Sequence, residues 1–304
     1  MTRRRLLGLL GAAGLTMAGL AWQTSAPRPG FGEDAVTRFE GGDATRGARV
    51  FAAGDCGSCH AGPGQADRLR LGGGRVLAAP FGRFHVPNIS PHPRDGIGAW
   101  RGVDLANALL SGVSPQGAHY YPAFPYVAYA RMTPEDVADL FAYLRSLPPV
   151  EGRPPPHELP FPLTIRRSLG LWKFLFLDTT PFEPVAGRDA EWHRGRYLVE
   201  AVAHCAECHS SRNAAGAIRG ATRHAGGPDP EGMGFAPNIT PTGLQGWGET
   251  DLTRLLATGE RPDGRRVGAG MADVVFNTAQ LPEADRRAMA RYILSLPPRP
   301  TPQP

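Results

Sequence analysis

Two short segments constrain this chain more than anything else in it: Cys56-Gly57-Ser58-Cys59-His60 and Cys205-Ala206-Glu207-Cys208-His209. Each is a Cys-x-x-Cys pair followed at once by histidine, the attachment pentapeptide of haem c. The spacing has a chemical reason. Each thiol adds to one vinyl group of a haem, and one turn of backbone sets the two sulfurs the right distance apart. The next residue then swings beneath the iron, and its imidazole becomes the proximal ligand. The pattern predicts two covalently bound haem c groups, attached through Cys56, Cys59, Cys205 and Cys208, with His60 and His209 as iron ligands. These four are all the cysteines of the chain. None is left for a catalytic nucleophile or a cysteine axial ligand.

Other uses of paired cysteines fit less well. Zinc sites built from two pairs place them about 15–20 residues apart, whereas Cys56 and Cys205 are 149 apart. A thioredoxin-like pair would not carry histidine after both motifs, and the surrounding chain lacks a βαβ pattern. Structural disulfides would not demand the same pentapeptide twice.

A spacing within one residue of 149 recurs along the chain. Ser146-Leu147-Pro148-Pro149 answers to Ser295-Leu296-Pro297-Pro298, and Val86-Pro87-Asn88-Ile89-Ser90-Pro91 to Ala236-Pro237-Asn238-Ile239-Thr240-Pro241. Gly98-Ala99-Trp100 and Gly246-Trp247 follow, and Arg46-Gly47 and Arg194-Gly195 precede each haem motif. Each module therefore has one order: short helix, haem motif, long Gly/Pro loop, small helix, ligand loop, C-terminal helix. Thr133 is an N-cap before Pro134-Glu135-Asp136, and Val137, Leu140, Phe141 and Leu144 recur at helical spacing. Met289, Tyr292, Ile293 and Leu296 repeat that stripe. Asp104–Leu110 and Asp251–Leu256 mark the small middle helices. Gly (39) and Pro (31) make up nearly a quarter of the 304 residues. So little regular structure needs another source of stability, and haem supplies it by completing each core.

With these segments in view, the chain resembles tandem class I cytochrome c. More narrowly, it is similar to the cytochrome c subunits of bacterial membrane-associated alcohol, aldehyde and gluconate dehydrogenases. The likeness is carried by Pro87-Asn88-Ile89-Ser90-Pro91 and its partner, by Tyr121-Pro122-Ala123-Phe124-Pro125-Tyr126, and by the Pro-Glu-Asp helix ending in Leu-Pro-Pro. It spans residues 41–298. Many members carry three haems where this chain has two motifs. The resemblance implies a mainly α fold of two tandem cytochrome c domains with long Gly/Pro-rich loops. Domain 1 is expected over 41–150, a linker strap over 151–187 and domain 2 over 188–298.

An electron-transfer haem usually has both axial positions filled, often by histidine and methionine. For the second haem Met271 is the expected ligand, in a flexible Gly268-Ala269-Gly270-Met271 loop ahead of the last helix. Met233 comes too early in the module, and Met289 lies on a core stripe. The family often has methionine where this chain has Phe124. Met132, the methionine of the first module, is the expected ligand there, with His119, His85 and an open iron as the alternatives.

Residues 1–26 read as an export signal or N-terminal anchor. Arg3, Arg4 and Arg5 precede the uncharged run from Leu6 to Trp22, and Thr24-Ser25-Ala26 offers a cleavage site. The net charge is +5, and without those three arginines about +2 remains, too weak and dispersed for nucleic acid. Lys173 is the one lysine, so docking should not rest on a lysine ring. The run Ile165 to Leu177 is too short to span a membrane and is expected to pack as a strap across both modules, with the bilayer surface or a partner subunit as alternatives. Asn88 and Asn238 read as rigid turns against the haems.

Together these features predict a periplasmic, exported electron-transfer protein rather than an enzyme. Its donor would be a partner dehydrogenase, and its acceptor a quinone site, a small cytochrome or an oxidase of the respiratory chain. The competing expectation is a dihaem peroxidase-like enzyme or a ligand sensor with an open first haem.

Overall fold

A computed structural model describes residues 14–17, 19–229 and 234–303. Arg3–Arg5, the first part of the leader and Met233 lie outside the described residues. The fold is mainly helical, and the two halves run through the same element order.

The first half opens on α1 (Ala44–Ala53). Its N-cap is Asp43, whose side chain accepts from the backbone N–H groups of Thr45 and Arg46 at 2.7 and 3.0 Å, filling donors that a helix start leaves orphaned. Next come α2 (Cys56–His60), α3 (Gly102–Ser111), α4 (Tyr126–Tyr129) and α5 (Pro134–Ser146). Thr133 caps α5 by accepting from the Asp136 N–H at 3.2 Å. The predicted stripe is the buried face: Val137, Leu140 and Leu144 are buried and Phe141 packs at the cluster's edge. The helix stops where Pro148 and Pro149 remove backbone donors.

The strap contributes α6 (Ser168–Phe176). The second half then follows with α7 (Ala190–Tyr197), which continues into a π turn over Leu198–Val202. A 3-10 turn at Cys205–Glu207, α8 (Glu249–Thr258), α9 (Gly270–Thr278) and α10 (Glu283–Leu294) complete it.

Within each half the first and last helices cross at a glycine. A Cβ on Gly47 would overlap the backbone carbonyl of Asp139, and one on Gly195 that of Ala288. The Arg-Gly pairs thus mark where two backbones touch. Beside the first crossing, Arg46 forks onto Asp139 at 2.6 and 2.8 Å; beside the second, Arg194 forks onto Asp285 at 2.9 and 3.0 Å.

Two details depart from the sequence reading. The first Gly/Pro loop contains an antiparallel hairpin, β1 (Val76–Ala79) with β2 (Gly82–His85), in the register Val76↔His85 to Ala79↔Gly82. The second loop keeps only β3 (Gly227–Pro228) against β4 (Phe235–Ala236) among the described residues. Met271 lies not in a flexible loop but in the first turn of α9. The glycines around it set up a helix start, with Ala269 before it at φ 50°.

One hydrophobic cluster runs through both halves, from Phe51, Leu105, Tyr129 and Leu140 to Trp192, Val199, Leu252 and Ile293. The strap ties the halves together. Lys173 on α6 donates to the carbonyls of Ser111 and Gly112 at 2.7 and 2.6 Å, and Trp172 donates to Ala215 O at 2.8 Å. Lys173 is buried, which removes it from any docking surface. The leader's described end packs here too: Ser25 is buried, and Arg167 donates to Trp22 O at 2.7 Å. Among the described residues, no helix is long and apolar enough to cross a membrane.

Candidate haem sites

In both halves the crossing helices deliver the chain to the pentapeptide through a residue in left-handed backbone. Asp55 has φ 54° and His204 φ 41°, each directly before the first cysteine. The first motif is a turn of α-helix, the second a 3-10 turn. Either winding brings both cysteines and the histidine to one end of the crossing. Among the described residues no disulfide joins the cysteines. Nor do three His, Cys, Asp or Glu side chains gather there as a metal-ion set. Burial pushes the Cys56 and Cys205 thiols up to about 12, so both are neutral thiols rather than nucleophilic thiolates.

The histidines are oriented identically. His60 Nδ1 lies 2.9 Å from the Pro87 carbonyl oxygen, and His209 Nδ1 lies 2.7 Å from that of Pro237. A carbonyl only accepts, so each Nδ1 carries the proton and each Nε2 keeps its lone pair. A carbonyl placed behind a ligating imidazole fixes its tautomer and ring direction. Burial holds the His60 imidazole down, to about 4, and lowers His209 as well. Both rings are therefore neutral at physiological pH. The backbone repeats the arrangement: Gly73 N–H donates to His60 O at 2.7 Å, and Gly226 N–H to His209 O at 2.9 Å.

Asn88 and Asn238 hold the proline carbonyls in place. Asn88 accepts from Ser90 N–H at 2.9 Å and donates to Val150 O at 2.7 Å. Asn238 accepts from Thr240 N–H at 2.8 Å and donates to Arg299 O at 2.9 Å. Each asparagine nails its loop to the segment beyond the terminal helix, so both are buried turns.

The expected sixth ligands separate. Met271 is partly exposed and packs at the edge of the core. Met132 is 5% exposed and lies inside the cluster, just before the cap of α5. Phe124 is partly exposed, and its ring meets Tyr120, Tyr126 and Tyr129 edge-on at 5.5, 6.3 and 5.9 Å. His119 donates through Nε2 to Ser25 O at 2.9 Å, and His85 Nε2 lies 2.8 Å from Glu158 Oε1.

Sequence reasoning missed the junction between the two motifs. The Gly54 carbonyl accepts from the Tyr129 hydroxyl at 3.0 Å, and His204 Nε2 lies 3.3 Å from it. The Tyr129 and His204 rings meet edge-on at 5.6 Å. Asn277 on α9 donates to Ser58 Oγ at 2.9 Å and to Asp55, and Asp273 pairs with Arg68 at 2.8 Å. The residues preceding the two pentapeptides thus face each other, and α9 lies over the first of them. Burial pushes the Asp55 carboxyl up, against the lowering by Ser58 and His204.

Also missed is a buried polar cluster beside the second motif. Glu200 accepts from Tyr292 at 2.8 Å, from His224 at 2.9 Å and from Arg223. Burial opposes its charge, but His224 and Arg223 together hold its carboxyl well below the usual range. Only the pairing of residues far apart in sequence reveals it.

Comparison with known proteins agrees with this geometry. The sequence model of the Cytochrome c family matches residues 44–148. A diheme cytochrome c-type protein of Cereibacter sphaeroides is 48% identical over 297 residues, covering 96% of each chain. The fructose dehydrogenase cytochrome subunit of Gluconobacter japonicus is 38% identical over 259 residues, which is 83% of this chain and 52% of that protein. The cytochrome c subunit of the quinone alcohol dehydrogenase of Gluconacetobacter polyoxogenes is 36% identical over 271 residues, 85% of this chain and 57% of that protein. This chain therefore spans only part of the length of the last two.

Proposed function

This chain belongs to the cytochrome c family, and from that premise we propose that it is a dihaem electron carrier serving a partner dehydrogenase. Cys56 and Cys59 hold one haem c through thioethers, and Cys205 and Cys208 hold the other. His60 and His209 present Nε2 to the irons, and Met271 completes the second site. When bound, haem c supplies a one-electron iron couple. The protein's work is to hold and orient: neutral thiols at one turn's spacing, imidazoles locked by Pro87 and Pro237, and two motifs abutting through Gly54, Tyr129 and His204. The observation that carries the reading is the twice-repeated histidine–proline carbonyl bond, which leaves one lone pair at the same place in each half.

The dehydrogenase donor is proposed from relatives named as cytochrome subunits of fructose and alcohol dehydrogenases. The acceptor is a cytochrome, quinone site or oxidase of the respiratory chain. The protein works on the periplasmic side, exported or anchored by its first 26 residues. Matured in a haem-loading host, it should gain the mass of two haems and retain them through acid–acetone extraction; a gain of one or none overturns the dihaem reading. Purified from its native membranes, it should bring a dehydrogenase polypeptide with it, and isolation alone would overturn the partner assignment.

A further inference from the structure

We propose that the first haem site receives no sixth ligand from the protein: Phe124 stands where Met271 stands in the second module, and the site admits a small neutral diatomic ligand. The inference rests on the reading that each pentapeptide carries a haem.

The modules can be matched from their middle helices. Phe124 lies twelve residues beyond Gly112, the C-cap of α3, and Met271 twelve beyond Gly259, the C-cap of α8. Met271 is in the first turn of α9, and Phe124 lies two residues ahead of α4. These short helices occupy the same place in each half, between the middle and terminal helices. Counted from the caps of the terminal helices, Thr133 and Pro282, Met132 corresponds instead to Leu281, a buried core residue.

Burial separates the candidates in the same way. A side chain that meets a prosthetic group keeps a face that protein does not cover. The two proximal histidines, Met271 and Phe124 all do so, each being partly exposed. Met132 does not, at 5% exposure among core side chains. His119 is 3% exposed, with Nε2 committed to Ser25 O and Nδ1 enclosed by protein. His85 is 8% exposed, with Nε2 at Glu158. The Lys173 amine is held between two carbonyls. Tyr129 spends its hydroxyl on Gly54 O, and burial keeps Tyr120 a neutral phenol.

The ring of Phe124 sits in an aromatic wall of Tyr120, Tyr126 and Tyr129. A neutral diatomic molecule loses little hydration on entering such surroundings. The ligand class is therefore neutral and small, and carbon monoxide is the probe.

The test uses the full chain with its haem content counted first. Dithionite-reduced protein carrying two haems should bind one carbon monoxide per chain. Phe124→Met should bring that to none and convert one oxidised haem from high to low spin. Met132→Leu should leave the stoichiometry at one, and Met271→Leu should raise it to two. Two-haem protein that binds no carbon monoxide overturns the proposal, as does Met132→Leu protein that binds two. Fewer than two haems per chain overturns the dihaem reading itself, and this inference with it.

Discussion

The two halves of the molecule share their backbone and differ in what surrounds it. At positions 149 apart, the first half closes its helix crossing with Phe51 against Tyr143, ring centroids 5.3 Å apart. The second places Glu200 against Tyr292 and adds Arg223 and His224. The glycine crossings, the proline carbonyls under each histidine and the asparagine braces are common to both. What is repeated is the means of holding an imidazole and two sulfurs. What has diverged is the polarity around them, and in haem proteins local polarity and axial ligation set the potential.

The comparison is most easily broken at Glu200. Glu200→Ala leaves the half-buried Arg223 guanidinium and the buried His224 imidazole without their anion and should cost about 2–4 kcal/mol, read as a lower denaturation midpoint. Phe51→Ala should cost about as much by leaving a cavity, but the two losses should differ in pH dependence. The Glu200 carboxyl is depressed in the fold from an ordinary value of 4.5. Its contribution is therefore complete above that value and is lost as pH falls below it. Wild type and Phe51→Ala should weaken together in that window, and Glu200→Gln should flatten the slope; an unchanged slope would show that the cluster does not bind its charge.

Next in size come the crossings. Gly47→Ala and Gly195→Ala both drive a methyl into a carbonyl, at a cost of about 1–3 kcal/mol each. Near-equal losses in urea melts would support a shared crossing, and a tolerated alanine in one half would break it. The braces follow. Asn88→Ala and Asn238→Ala each strand buried backbone groups, at about 1–2 kcal/mol, and should loosen the proline carbonyl, so that haem spectra change along with stability. The smallest effect is at the terminal helices. Thr133→Ala removes a side-chain cap worth about 1 kcal/mol, whereas Pro282 makes no side-chain cap bond and its replacement by Ala should cost less.

The sequence was most informative where the signal is local. Thr133, the stripe from Val137 to Leu144 and both pentapeptides lie within a few residues of what they determine. The Arg-Gly pairs were visible as a repeat, but their reason is a backbone across the helix crossing, at Asp139 and Ala288. The Glu200 cluster was illegible because Arg223, His224 and Tyr292 lie 23, 24 and 92 residues away. The hairpin at Val76–His85 hid in a stretch whose glycines spoke for loop, and Gly270 opened a helix where flexibility was expected. Met132 was attractive as the methionine of its module; its side chain lies buried in the core cluster.

The strap on α6 holds out a practical warning. Its Lys173 is the chain's one lysine, closed between two carbonyls and the Tyr126 ring at 4.8 Å. Amine-directed reagents should leave the folded protein's side chains unlabelled, and cross-linkers that bridge lysines should report no contact even when a complex is intact. Its neighbours will have to be mapped through carboxylates or guanidinium groups, and trypsin will cut the native chain at arginines.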